Sequence, residues 1–359
     1  MKNLPIGIQS FADLRKKGYL YVDKTKDIHK MITSGKIYFL SRPRRFGKSL
    51  LISTLKAIFK GEKKLFEGLY IYDRWDWTQQ YPVIRLDFGE INCQTPEELE
   101  NDLSKKLLEK ARQYNIDLKR TSSGGFAELI ENLYKTTGQQ VVVLIDEYDK
   151  PITDHLSQLE VMIANKNILH NFYQVLKAAD EYLHFVLLTG VSKFAGVSIF
   201  SALNNANDIT VNEKYASICG YTQEELETYF SEYLEETAEN TGLNKEDLIE
   251  EIHNWYDGYS WDGKTFVYNP YSTLLLFENK VFGNYWFRTG TPTFLVELLK
   301  KRNQLAPVFE PLVTTLTSFD SCDPVLVGEI PLLFQTGYLT IKRRELFRGL
   351  PHYTLGIPN

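Results

Sequence analysis

Cysteine is scarce in this chain of 359 residues: Cys93, Cys219 and Cys322 stand far apart and none belongs to a CxxC pair. Such spacing excludes a disulfide framework and offers no zinc site. Long apolar runs are missing too. No stretch of about 18 apolar residues occurs, so a membrane-spanning helix is not supported. The first ten residues, MKNLPIGIQS, lack the apolar segment of a secretory signal. These absences together make a cytoplasmic protein with no membrane partner the expectation. Positive charge is also short, since the formal net charge is −5, which denies the chain the basic footprint of a general nucleic-acid binder. The shortage is sharpest between residues 220 and 260, where twelve Asp or Glu face Lys245 alone. That segment should repel a phosphate backbone.

What remains is a globular composition, 43% hydrophobic and 24% charged, in a chain long enough for one large core and a second domain. Its organising stretch is RPRRFGKS, residues 42 to 49, set between the apolar run Ile37-Tyr38-Phe39-Leu40 and the helix-patterned LLISTL. A buried strand, a tight loop ending in Gly-Lys-Ser and then a helix form a P-loop, whose backbone amides and helix N-terminus cradle phosphates. Gly47 lets the backbone approach the phosphates, Lys48 supplies a point charge, and the Ser49 hydroxyl completes a Mg²⁺ shell. The glycine that usually opens the pattern is absent: Arg42 stands there, followed by Pro43. Proline has no N–H, so the cradle draws on Arg44, Arg45, Phe46, Gly47, Lys48 and Ser49, with Leu50 opening the helix. The arginines add side-chain charge where amide donors are lost.

Residues 141 to 149, VVVLIDEYD, read as a buried parallel strand with carboxylates at its C-terminal end. Ligands of open α/β sheets bind at that end. Asp146 is the candidate Mg²⁺ ligand, through water, and Glu147 the candidate general base on the attacking water. A third buried strand, in HFVLLTGVSKF, ends in Thr189, the first candidate for sensing a γ-phosphate, with Ser192 behind it. Asp87, at the end of VIRLD, reads as a turn cap. Asn165-Lys166-Asn167-Ile168 begins like a guanine signature and lacks its aspartate, which favours adenine.

Strands near residues 37, 83, 141, 184 and 208, alternating with helical patterns, specify an α/β fold with a five-stranded, mainly parallel sheet. Before the first strand, residues 6 to 35 carry helical spacings around Phe11 and Ile28 flanking an extended Tyr19-Leu20-Tyr21-Val22, and the stretch is either a plain connection or a lip over the nucleotide base. After residue 218 the apolar period becomes helical. Leu226, Tyr229, Phe230, Tyr233 and Leu234 form a packing stripe, and the aromatic WYDGYSWDGKTFVYNPYS reads as a turn and hairpin. The expected division is an ATPase core at 1–218, a helical lid at 219–303 and a winged-helix-like segment at 304–359. In the last segment Lys342, Arg343, Arg344 and Arg348 form a basic turn, the place where a nucleic-acid partner would bind if one does.

LPIGIQSFADLRKKGYLYVDKT, FLSRPRRFGKSLLISTL, VVVLIDEYDKP, LLTGVSKF, WYDGY, VYNPYS and YWFRTGTPTFL together resemble the bacterial AAA-ATPase-like family over nearly the whole chain. The resemblance implies a layout similar to archaeal and STAND-type ATPases, with RPRRFGKS replacing the glycine-rich loop. It also implies a PD-(D/E)xK nuclease-like domain beyond YTLGIPN in many members. Within the chain, Glu62-Lys63-Lys64 and Glu278-Asn279-Lys280 satisfy E-x-K but read as surface helix charges. The expected function is slow hydrolysis of Mg-ATP as a conformational switch. The alternative is a nucleotide-gated module that holds a protein or nucleic-acid partner, with incidental turnover.

Overall fold

The computed structural model describes residues 1–193, 205–290, 312–320 and 329–358. Five strands build the main sheet: β1 (Ile37–Ser41), β2 (Val83–Asp87), β3 (Val141–Asp146), β4 (Leu183–Gly190) and the short β5 (Asn207–Asp208). They lie in the order β2-β3-β4-β1-β5 and every pairing is parallel. The anticipated five strands are all present, and the sheet is wholly rather than mainly parallel. β1 and β3 are buried along their full length. Such continuous burial on both faces is why they read as apolar runs without alternation.

Successive side chains nevertheless point to opposite faces. Tyr38, Leu40, Val142 and Leu144 join one cluster with the P-loop helix (Lys48–Phe59) and the N-terminal helices Phe11–Lys16 and Thr25–Ser34. Ile37, Phe39, Val143 and Ile145 join the other, under helices Pro96–Arg112, Ser122–Thr137 and Leu159–Ala178. Helix starts follow the expected chemistry. Thr95 and Glu98 form a reciprocal capping box ahead of Pro96, and Gly61 takes a left-handed φ of 70° just past the P-loop helix.

Five further helices, Gln223–Tyr229, Ser231–Thr241, Lys245–Tyr256, Pro270–Asn279 and Tyr285–Gly290, come after the sheet. The first opens with the capping box of Thr222 and Glu225. Their cluster also takes in Leu4, Leu20 and Val22, so the N-terminal arm lies against these helices as well as the sheet. Lys24 pairs with Glu225 at 2.5 Å. The aromatic segment between the third and fourth of these helices closes by single bridges, Tyr259 to Val267 and Tyr221 to Tyr268, rather than as a full hairpin.

At the C-terminal end, helix Glu329–Thr336 precedes the antiparallel strands β7 (Thr340–Phe347) and β8 (Leu350–Gly356). A further strand, β6 (Leu312–Thr315), lies along β8 and has no counterpart among the expected strands. Residues 304–311 and 321–328 of the expected winged-helix-like segment lie outside the described residues. Phe319, Leu332, Leu339 and Leu355 share the cluster that holds the P-loop helix. The C-terminal unit therefore packs on the same side of the sheet as the helix Lys48–Phe59. No helix among the described residues is long and apolar enough to cross a membrane.

Candidate nucleotide site

Parallel register brings the chemistry together. Asp87 sits opposite Asp146 across β2 and β3, Leu40 opposite Thr189 and Ser41 opposite Gly190 across β1 and β4. All of these residues end their strands at one edge of the sheet, and the P-loop leaves the same edge. β4 lies between β1 and β3, so Thr189 falls between the phosphate loop and the acidic strand.

The loop turns through left-handed conformations at Arg45 (φ 69°) and Gly47 (φ 92°) before the helix begins at Lys48. No backbone amide from Arg44 to Ser49 donates to a carbonyl among the described residues. A row of undonated amides at a helix N-terminus is an anion-binding concavity. Lys48 is almost fully buried, and its Nζ donates to the carbonyls of Arg42 at 2.8 Å and Pro43 at 2.9 Å. Burial lowers its pKa, and the neighbouring carboxylates, Asp146 foremost, work against that fall.

Asp146 is completely buried. Its Oδ1 accepts from the Thr189 hydroxyl at 2.6 Å and from the Glu147 amide at 3.1 Å, while Oδ2 has no hydrogen-bond partner. A buried carboxylate oxygen left over is unusual, and a metal-bound water is a group that satisfies it. Ser49 lines the cleft beside Glu147, with Asp146 buried just behind; a hydroxyl and a carboxylate reaching through water are donors that fit a Mg²⁺ taking its remaining ligands from phosphate and water. Glu147 adopts φ 52°, a left-handed conformation a glutamate rarely takes. Burial raises its pKa, Lys48 pulls it back, and Asp146 and Asp149 raise it further.

A cleft of about 440 Å³ opens above these groups. Arg44, Arg45, Gly47, Lys48, Ser49 and Leu50 form its floor, and Glu147 with Lys150 one wall. Pro5, Gly7, Ile8 and Gln9 line a second wall, and Tyr221, Pro270, Tyr271 and Leu274 a third. Of the stretch ahead of β1 read as a connection or a lip, Gly7, Ile8 and Gln9 line the cleft, with Pro5 just before it, while Tyr19–Val22 does not. Arg45 lies over the Tyr271 ring, 5.0 Å from its centroid, joining the loop to helix Pro270–Asn279.

Other candidates fall elsewhere. Phe46 contributes backbone only, because its ring is buried against Tyr259 and Trp261 at 4.9 and 5.4 Å. Thr189 and Ser192 are wholly buried beneath the cleft. The Thr189 hydroxyl is spent on Asp146, whereas Ser192 Oγ has no partner. Asp87 caps its turn through the Gly89 amide and pairs with Arg85.

Arg42 corrects the idea that all three loop arginines add charge toward phosphate. Its guanidinium is fully buried, stacks on Trp261 at 4.0 Å and donates to the carbonyls of Ser41, Thr210 and Tyr215. Burial lowers its pKa to about 10. Arg42→Ala would strand those carbonyls and should cost about 3 kcal/mol of stability in urea denaturation. A loss near zero would show that the guanidinium does not tie the loop to the aromatic segment that holds Trp261.

Sequence reasoning missed Asp149. Its buried carboxylate accepts from the amides of Val191 and Ser192, with the shortest contact 2.7 Å, and so fixes the chain leaving β4. The only signal was a third acid in DEYD. Lys342, Arg343 and Arg344 lie within β7 rather than in the expected basic loop, which leaves only Arg348 in the turn, and the group is largely engaged within the protein. Lys342 donates to Pro358 O at 2.5 Å, Arg343 pairs with Glu345 at 2.7 Å and Arg344 with Glu213. Arg348 lies over the Phe347 ring.

Residues 5–200 match the family model described as Predicted AAA-ATPase. A relative from Azotobacter chroococcum mcd 1, described as an uncharacterized protein in the vnfD 5' region, is 43% identical over 363 aligned positions. The match covers all of this chain and 68% of that relative. Phosphate loop, acidic strand end, intervening strand and both similarities agree, and the chain belongs to the AAA-ATPase-like family of P-loop proteins.

Proposed function

We propose that the chain binds Mg-ATP and hydrolyses it slowly, using the nucleotide as a conformational switch. The observation that carries this reading is the convergence of undonated loop amides, buried Lys48 and Glu147 on one cleft whose walls come from three parts of the chain. Lys48 and the amides from Arg44 to Ser49 bind the phosphates, and Arg44 and Arg45 add charge on the floor of the cleft. Ser49 and Asp146 hold Mg²⁺, which when bound draws charge off the phosphate oxygens. Glu147 accepts the proton of the attacking water. Thr189 orients Asp146 through its hydroxyl, so any response to the γ-phosphate passes through that carboxylate.

The switch reading draws on links from the loop outward. Arg42 reaches Trp261, Phe46 packs on Tyr259, and the Arg44 carbonyl accepts from Trp286 Nε1 at 3.0 Å. The chain leaving β4 is held likewise: Lys193 pairs with Asp208 at 2.7 Å and with Asp320, and its amide donates to Gln335. Movement of the loop on filling would therefore be felt in both later units.

Calorimetric titration with ATP, with and without Mg²⁺, tests the reading. Binding should be stronger with the metal by about tenfold, a coupling within the ordinary range between two ligands. Asp146→Asn should still bind ATP and lose most of that gain. An Asp146→Asn chain that responds to Mg²⁺ like the native one would remove Asp146 from the metal site.

A further inference from the structure

Between the helices after residue 245 and the C-terminal unit lies a second cavity, of about 330 Å³, that shares no residue with the nucleotide cleft. None of the fourteen described residues lining it carries a charge, and half of them are aromatic. Its floor is well packed: Tyr256, Tyr259, Asn269 and Trp286 are each less than a tenth exposed. The rings meet at steep angles, Tyr259 with Trp286 at 70° and Trp286 with Tyr338 at 54°, which makes walls rather than a stack. Asn269 spends its Oδ1 on the Ser272 amide, and its buried Nδ2, beside the Tyr259 hydroxyl, makes no well-formed hydrogen bond. An aromatic cavity of this size with a few neutral polar groups has the make-up of a small-molecule site.

We propose that this cavity is a second ligand site, for an uncharged aromatic small molecule bearing one hydrogen-bond acceptor, and that its occupancy is read by the phosphate loop. The described lining residues are all uncharged, so an ion against them would lose water and gain no counter-charge from them. Flat rings suit the edge-to-face geometry of the walls. A carbonyl or ring nitrogen would satisfy Asn269 Nδ2.

The link to the loop is short. Trp286 forms a wall of the cavity and donates through Nε1 to the carbonyl of Arg44. Gly337, on the same lining, lies so close to Pro43 that an added Cβ would stand 2.7 Å from the proline ring. A ligand that shifts Trp286 must disturb the loop, and by reciprocity a filled loop must change the ligand's affinity. This second half rests on the nucleotide reading; the site itself does not.

The test uses the full chain and prodan, a neutral naphthyl ketone whose emission shifts to the blue in apolar surroundings. Saturable one-site binding is expected. Asn284→Trp, which places an indole at the exposed mouth of the cavity, should weaken it by about tenfold or more at unchanged melting temperature. Mg-ATP should shift the prodan Kd by about fivefold, and Trp286→Phe, which keeps the ring and drops the donor, should bind prodan and lose the shift. Absent saturation, or binding indifferent to Asn284→Trp, overturns the site. Equal Kd values with and without ATP, where calorimetry shows that ATP is bound, overturn the link alone. Prodan binding in a chain that calorimetry shows not to bind ATP would leave the site standing and refute the nucleotide reading.

Discussion

Lys48→Ala is expected to bind ATP about a hundredfold more weakly than the native chain, the loss of roughly 3 kcal/mol that a charge-assisted contact supplies. The ammonium is already positioned, held by the carbonyls of Arg42 and Pro43 within the loop it serves. Its burial makes the effect larger than at a surface lysine, because few waters are present to screen the phosphate charge. The same variant loses two internal hydrogen bonds, so the melting temperature must be followed alongside calorimetry. Unchanged affinity in a folded Lys48→Ala chain would refute the assignment of this loop as the phosphate site.

Glu147→Gln should bind Mg-ATP almost normally and turn it over about 10²- to 10⁴-fold more slowly, the usual cost of removing a general base. Glutamine keeps the size of the side chain and the strained backbone at φ 52°. It also relieves a crowded group of acids, since Asp146 and Asp149 both press on Glu147. ATP affinity in the variant should therefore stay level or rise slightly while release of inorganic phosphate falls. Phosphate release at the native rate, measured under single-turnover conditions, would mean that another residue activates the water.

Both variants fall on positions that could be named before the fold was known, for a definite physical reason. A parallel strand buried on both faces must be a short apolar run, and ligands collect at the carboxyl ends of such strands. VVVLIDEYD and the run before RPRRFGKS announce both facts within a few residues. The features that stayed hidden depend on partners far along the chain. Arg42 stacks on Trp261 and binds the Thr210 carbonyl, and no local pattern distinguishes it from Arg44. Asp149 serves amides 42 and 43 residues onward. β6 spans only Leu312–Thr315 and is defined by pairing with β8, which a four-residue stretch cannot advertise. Residues 5 to 9 belong to LPIGIQSFADLRKKGYLYVDKT, which the family resemblance singles out, yet their place on the cleft depends on how the arm packs between the sheet and the helices.

Arg42 also bears on inheritance. In a glycine-rich loop the first position has no side chain, so such a loop can be shuffled between proteins with little regard for the domains downstream of it. Here that position carries a guanidinium whose stacking partner, Trp261, is encoded more than two hundred codons downstream. A recombination event that kept residues 1–218 and replaced the rest would leave a buried cation without its indole and Phe46 without Tyr259. The phosphate loop and the aromatic segment should therefore descend together, and a substitution at either residue 42 or residue 261 should be tolerated only when the other changes with it.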